Sequence, residues 1–153
     1  TPGAPIFGGA KPVPFNPSRV RHGEWGAALV ALAGPLTNLF FGFIAFGIGV
    51  VTGVISAEGF VNSGFGTVIA LSVYINLGFF IFNMIPLPPL DGSRVLYAVA
   101  PDGVRNVMEG IERMGIIFIF LIVILASSVI GSFMLAGIDL FIDIFSFIFG
   151  INA

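Results

Sequence analysis

The chain has 153 residues, of which 57% are hydrophobic and 9% charged, with a mean hydropathy of +1.08 and a formal charge of -2. Soluble domains carry roughly 25% charged residues, so this composition belongs to an integral membrane protein. It also excludes a nucleic-acid-binding role, and the absence of cysteine excludes disulfides and thiolate metal sites, leaving carboxylate, imidazole or amide oxygen to hold any metal. The first residue is Thr1, with no signal pattern behind it, and the sequence reads as a piece of a longer protein.

Residues 1–24 hold five prolines, four glycines and several charges, and cannot span a bilayer. They form either a solvated interfacial linker or an edge strand along Gly8 to Phe15, where prolines are tolerated. Trp25 then opens an apolar stretch to about Ile55, the first span, with an aromatic anchor at its start. Ala27, Ala31, Gly34, Asn38, Gly42, Ala45, Gly49 and Gly53 recur at spacings of three and four, a strip on which another helix packs closely. Pro35 removes a backbone donor inside this helix and predicts a kink. Asn38 admits two readings, interhelical glue and a polar group facing a site.

A glycine-containing loop, Ser56 to Gly66, leads to a second span over Thr67 to Ile85, with Ser72, Asn76 and Asn83 on one face. Pro86, Pro88 and Pro89 then force the chain out of the helix, and Asp91 follows at membrane depth. Such backbone is tolerated only against protein or a watery cavity, which makes Asp91 a functional candidate. A short amphipathic helix is expected from about Ser93 to Ala100, and another from near Val104. The apolar run Met114 to Phe133 predicts a third span at 112–133. In Met134 to Gly150 the polar edge of Asp139, Asp143 and Ser146 predicts an interfacial helix, the two carboxylates being solvated and not a metal pair.

The fold class is thus an all-α polytopic membrane protein with about three transmembrane helices, a proline-broken helix end at the site, and a C-terminal interfacial helix. Basic residues flank the first span on its N-terminal side (Lys11, Arg19, Arg21) and follow the second (Arg94, Arg105, Arg113), while the loop between has none. The positive-inside rule therefore puts residues 1–24 and 90–113 on the cytoplasmic side, and Gly34 and Asn38 at a depth near that of Asn83 and Asp91.

Gly34-Pro35-Leu36-Thr37-Asn38 resembles a Gly-Pro-x-x-Asn motif. Asn83, Pro86, Pro88, Leu90, Asp91 and Gly92 match every fixed position of Asn-x-x-Pro-x-Pro-x-Leu-Asp-Gly. Both motifs resemble those of the site-2 protease family of intramembrane zinc metalloproteases, and Gly9 to Pro14 resembles the segment that in short bacterial members links the metal-binding helix to the next span. The resemblance implies a transmembrane protease core over 25–153, its C-terminal part, acting on transmembrane substrates in the lipid bilayer. It implies zinc, with Asp91 as third ligand beside two histidines of a His-Glu-x-x-His helix. That helix is absent from the sequence and is expected upstream of Thr1, so this chain alone is expected to be inactive. The single histidine, His22, reads as a solvated loop residue. Asn83 and Asn38 are the candidate oxyanion donors. The edge formed by Ala10, Lys11, Val13 and Phe15 is the candidate surface for the unwound substrate. Two alternatives stand beside this reading: an ion-coupled transporter, and a non-catalytic relative that binds membrane partners.

Overall fold

The structure is a computed structural model that describes residues 23–114 and 116–151. Ala10, Lys11, Val13, Phe15 and His22 lie outside the described residues. The elements in chain order are α1 (Gly23–Val51), β1 (Ile55–Ser56), β2 (Gly59–Phe60), α2 (Gly64–Asn83), α3 (Asp91–Val99), α4 (Asp102–Arg113), α5 (Ile116–Leu125) and α6 (Ser127–Phe149). Three of these, α1, α2 and α6, are long and apolar enough to cross a membrane.

α1 and α2 form an antiparallel pair closed by a small hairpin, in which Ile55 pairs with Phe60 and Ser56 with Gly59. The expected loop at 56–66 thus contains a short ladder, and Gly59, at φ 106, supplies the left-handed turn that other residues resist. Ser63 starts α2 by accepting a hydrogen bond from the Gly66 amide at 3.0 Å. The small-residue strip of α1 does what its spacing predicts. A Cβ on Gly42 would lie 3.5 Å from Asn76 and Leu77, and one on Gly49 would come within 2.9 Å of Ile69. The helix continues through Pro35, which is fully buried.

α6 joins from the other side. Gly137 sits against Ile81, Phe141 packs edge-on to Phe80, and Phe145 and Phe149 stack on Phe43 and Phe46. It therefore runs parallel to α1, from the α3 end toward the hairpin. The core is Phe46, Ile55, Ile69, Val73, Leu77, Ile81, Ile138 and Phe145.

The expected class, all-α and polytopic with three candidate spans, holds, but the third span is elsewhere. Residues 112–133 do not make one helix: α4 ends at Arg113, and α5 has ten residues. At 1.5 Å per residue α5 extends about 15 Å, half of the roughly 30 Å hydrocarbon core. The chain turns at Ala126 and restarts as the 23-residue α6. The expected separate interfacial helix at 134–150 is the body of that candidate span. From 116 to 126 the run has no polar residue and so no helical phase, which leaves only Ser127 and Ser128 to mark the break at Ala126. Asp139 and Asp143 are both exposed on α6, as their spacing suggests.

Candidate functional site

The prolines end α2 as expected. Met84 caps it, the peptide between Pro88 and Pro89 is cis, and the chain re-enters helix at Asp91 with Leu90 as the N-cap. Asp91 is the first residue of α3, where a carboxylate is favoured by the exposed amides and the helix dipole. Its neighbour fixes its place. A Cβ on Gly92 would collide with the carbonyl oxygen of Met84 and reach within 2.8 Å of that of Ile85. Only glycine lets the first turn of α3 rest on the backbone that ends α2. Ser93, also buried, donates its hydroxyl to the Leu90 carbonyl at 2.7 Å and closes the same turn.

α3 lies against the N-terminal half of α1. A Cβ on Gly34 would stand 3.8 Å from Asp91 Oδ2, so the Gly-Pro and Leu-Asp-Gly segments meet directly. Gly42 faces Asn76, and carrying that antiparallel register two turns along sets Gly34 and Pro35 level with Asn83 and Met84. Asn38 lies one turn deeper, between these levels. Asn83 donates one amide hydrogen to the Phe79 carbonyl at 2.9 Å, which leaves its second hydrogen and its oxygen available. Asn76 is spent similarly on the Ser72 carbonyl at 2.8 Å.

Beside Asp91 opens a cavity of about 230 Å³ lined by Ala27, Val30, Ala31, Asp91 and Arg94. Partial burial pushes the Asp91 carboxyl above its ordinary value. Arg94 shares this cavity, yet its guanidinium pairs with Glu112 at 2.6 Å. Sequence reasoning used Arg94 only to assign topology, although its place one turn after Asp91 puts both on one helix face. Nothing in the sequence tied it to Glu112, 18 residues on.

A larger cavity, about 590 Å³, lies at the hairpin end between Phe46, Phe60, Ser146 and Asp143. It holds one carboxylate and is far from the motif residues, so size alone does not mark the site. Among the described residues no group of three histidine, cysteine, aspartate or glutamate side chains is placed to hold a metal ion. A tetrahedral zinc needs three protein ligands with an open fourth position for catalysis. Asp91 would supply one, and the described residues by themselves do not make a zinc site.

The fold and site define a class: a polytopic membrane protein in which a proline-broken helix end sets a carboxylate against the small-residue face of a neighbouring span. Residues 48–127 match Peptidase family M50. Over 147 residues the chain is 36% identical to the protein named "Putative zinc metalloprotease YwhC" of Bacillus subtilis (strain 168), an alignment covering 94% of this chain and 67% of that protein. No solved structure gives a significant match. The chain belongs to Peptidase family M50, the site-2 protease family.

Proposed function

We propose that the protein is an intramembrane zinc metalloprotease that cleaves transmembrane segments of other membrane proteins, with Asp91 as one metal ligand. The observation that carries this is the meeting of Gly34 and Asp91 at a broken helix end, in a chain of Peptidase family M50. Zinc would activate a water for attack on the peptide carbonyl, chemistry that the described residues do not supply by themselves.

What these residues do is hold and orient. Gly92 seats Asp91, with its carboxylate beside Gly34. Glu112 occupies Arg94, so the carboxylate is not neutralised by its nearest cation on the helix. Asn83 and Asn38 offer amide hydrogens to substrate backbone or to the developing oxyanion. Cleavage requires an extended peptide, and the edge at Ala10, Lys11, Val13 and Phe15 would pair with the unwound strand. The base count supports a cytoplasmic position for the Asp91 end: Arg94, Arg105 and Arg113 belong to it, while the hairpin carries only Glu58.

The test is cleavage of a labelled transmembrane substrate by the protein in vesicles, in the longest natural form of the chain. Asp91→Ala should abolish a cleavage that chelators also abolish, with helix content retained. Undiminished cleavage by this variant would overturn the assignment. Val13→Pro should slow cleavage far more than it lowers thermal stability.

A further inference from the structure

α4 is two-sided. Val104, Val107, Ile111 and Met114 follow at spacings of three and four, which stacks them on one face, while Asp102, Arg105, Glu109, Glu112 and Arg113 take the rest. A surface helix of a soluble domain would turn the apolar face inward. Here the inward contacts are polar. Glu112 pairs with Arg94, and Glu109 accepts from the Tyr97 hydroxyl at 2.8 Å. Arg105 donates to the Tyr97 carbonyl at 3.0 Å and covers the Tyr97 ring, its guanidinium carbon 5.2 Å from the centroid. Met108 is the one buried residue of α4, whereas Val104, Val107 and Met114 are 40%, 64% and 61% exposed.

We propose that α4 is an in-plane membrane helix: α3 takes its polar side, and the face of Val104, Val107, Ile111 and Met114 rests in the headgroup boundary of the bilayer. Three observations favour lipid as the occupant. α4 stands in the chain between the end of the candidate span α2 and the wholly apolar α5, which is too short to cross. Its acids are already paired, Glu112 with Arg94, Glu109 with Arg113 at 3.3 Å and Asp102 with Arg105 at 3.9 Å. The helix thus meets the bilayer close to neutral, and apolar burial carries the contact in place of attraction to anionic headgroups. Finally, its polar side is the side that a protein neighbour, α3, already covers. Because α3 begins with Asp91, the bilayer surface then steadies the element that carries the candidate ligand.

These 153 residues hold no cysteine, so Val107→Cys and Asn106→Cys each give a unique site for a spin label once any cysteine elsewhere in the full protein is replaced. The full protein is reconstituted in phosphatidylcholine vesicles, and collisions with oxygen, which partitions into lipid, are compared with those of a water-soluble nickel chelate. The oxygen-to-nickel ratio should be several-fold higher at 107 than at 106, and adding phosphatidylglycerol should leave it unchanged. Met114→Cys should repeat the reading at 107 in an independent variant. Nickel access at 107 equal to that at 106 would put the face in water and overturn the proposal. Shielding of 107 from both reagents would overturn it too, by showing a protein occupant.

Discussion

At the hairpin end of the α1–α2 pair, Gly49 makes room for Ile55 and Ile69, whereas at the Asp91 end Gly34 lies beside a carboxylate that a Cβ there would meet at 3.8 Å, in ordinary contact. The first end gathers its aromatic rings around Phe46, which is 1% exposed beside Phe145 and Phe149, with the 590 Å³ cavity opening next to them. The second has a smaller cavity, about 230 Å³, between Ala27, Ala31, Asp91 and Arg94. The same helix pair therefore concentrates aromatic packing where there is no motif chemistry and sets the motif carboxylate beside the smaller of the two spaces. Stability and site geometry should respond to different residues.

The largest effect that would break this contrast comes from Phe46→Ala. Emptying a fully buried aromatic position costs about 3–5 kcal/mol. Thermal unfolding in detergent should show this loss, while turnover per folded molecule stays close to the parent's. A large fall in turnover at full folding would show that the two ends are coupled. Gly92→Ala is the opposite case. Its new Cβ must push α3 off the Met84 carbonyl. A displacement near 1 Å costs a site on the order of 100-fold in rate, so cleavage should fall by about that factor with helix content kept. Wild-type cleavage by this variant would mean that Asp91 needs no such seat. Glu112→Gln should do least. Both partners of the Arg94–Glu112 pair are more than 40% exposed, and such pairs contribute roughly 0–1 kcal/mol. The loss in thermal stability should therefore be small, and a larger one would assign the pair a structural share that exposure argues against.

The Asp91 end was the more legible of the two in the sequence, because prolines act locally. Pro86, Pro88 and Pro89 stop a helix wherever they stand, and α2 ends at Asn83 within two residues of the expected boundary. α3 and α4 likewise begin within two residues of their expected starts. The meeting of the two motif segments was expected only as similar depth; the contact of Gly34 with Asp91 and the seat of Gly92 on Met84 are tertiary and leave no local mark. Asn38 was expected at the level of Asn83, and the register sets it a turn deeper. The break at Ala126 went unread for a related reason: no proline or glycine stands there, and Ser127-Ser128 is a slight interruption of a long apolar run.

Pro35 has a consequence for the cavity as well as for α1. A proline has no amide hydrogen, so the carbonyl four residues earlier, that of Ala31, loses its helical partner. Ala31 lines the cavity beside Asp91. One wall of that space thus belongs to a residue whose main-chain carbonyl is released by a proline a full turn away. No exchange of the methyl group at position 31 can remove it. Restoring a donor at position 35, by Pro35→Ala, would withdraw it into the helix while leaving every side chain of the cavity in place.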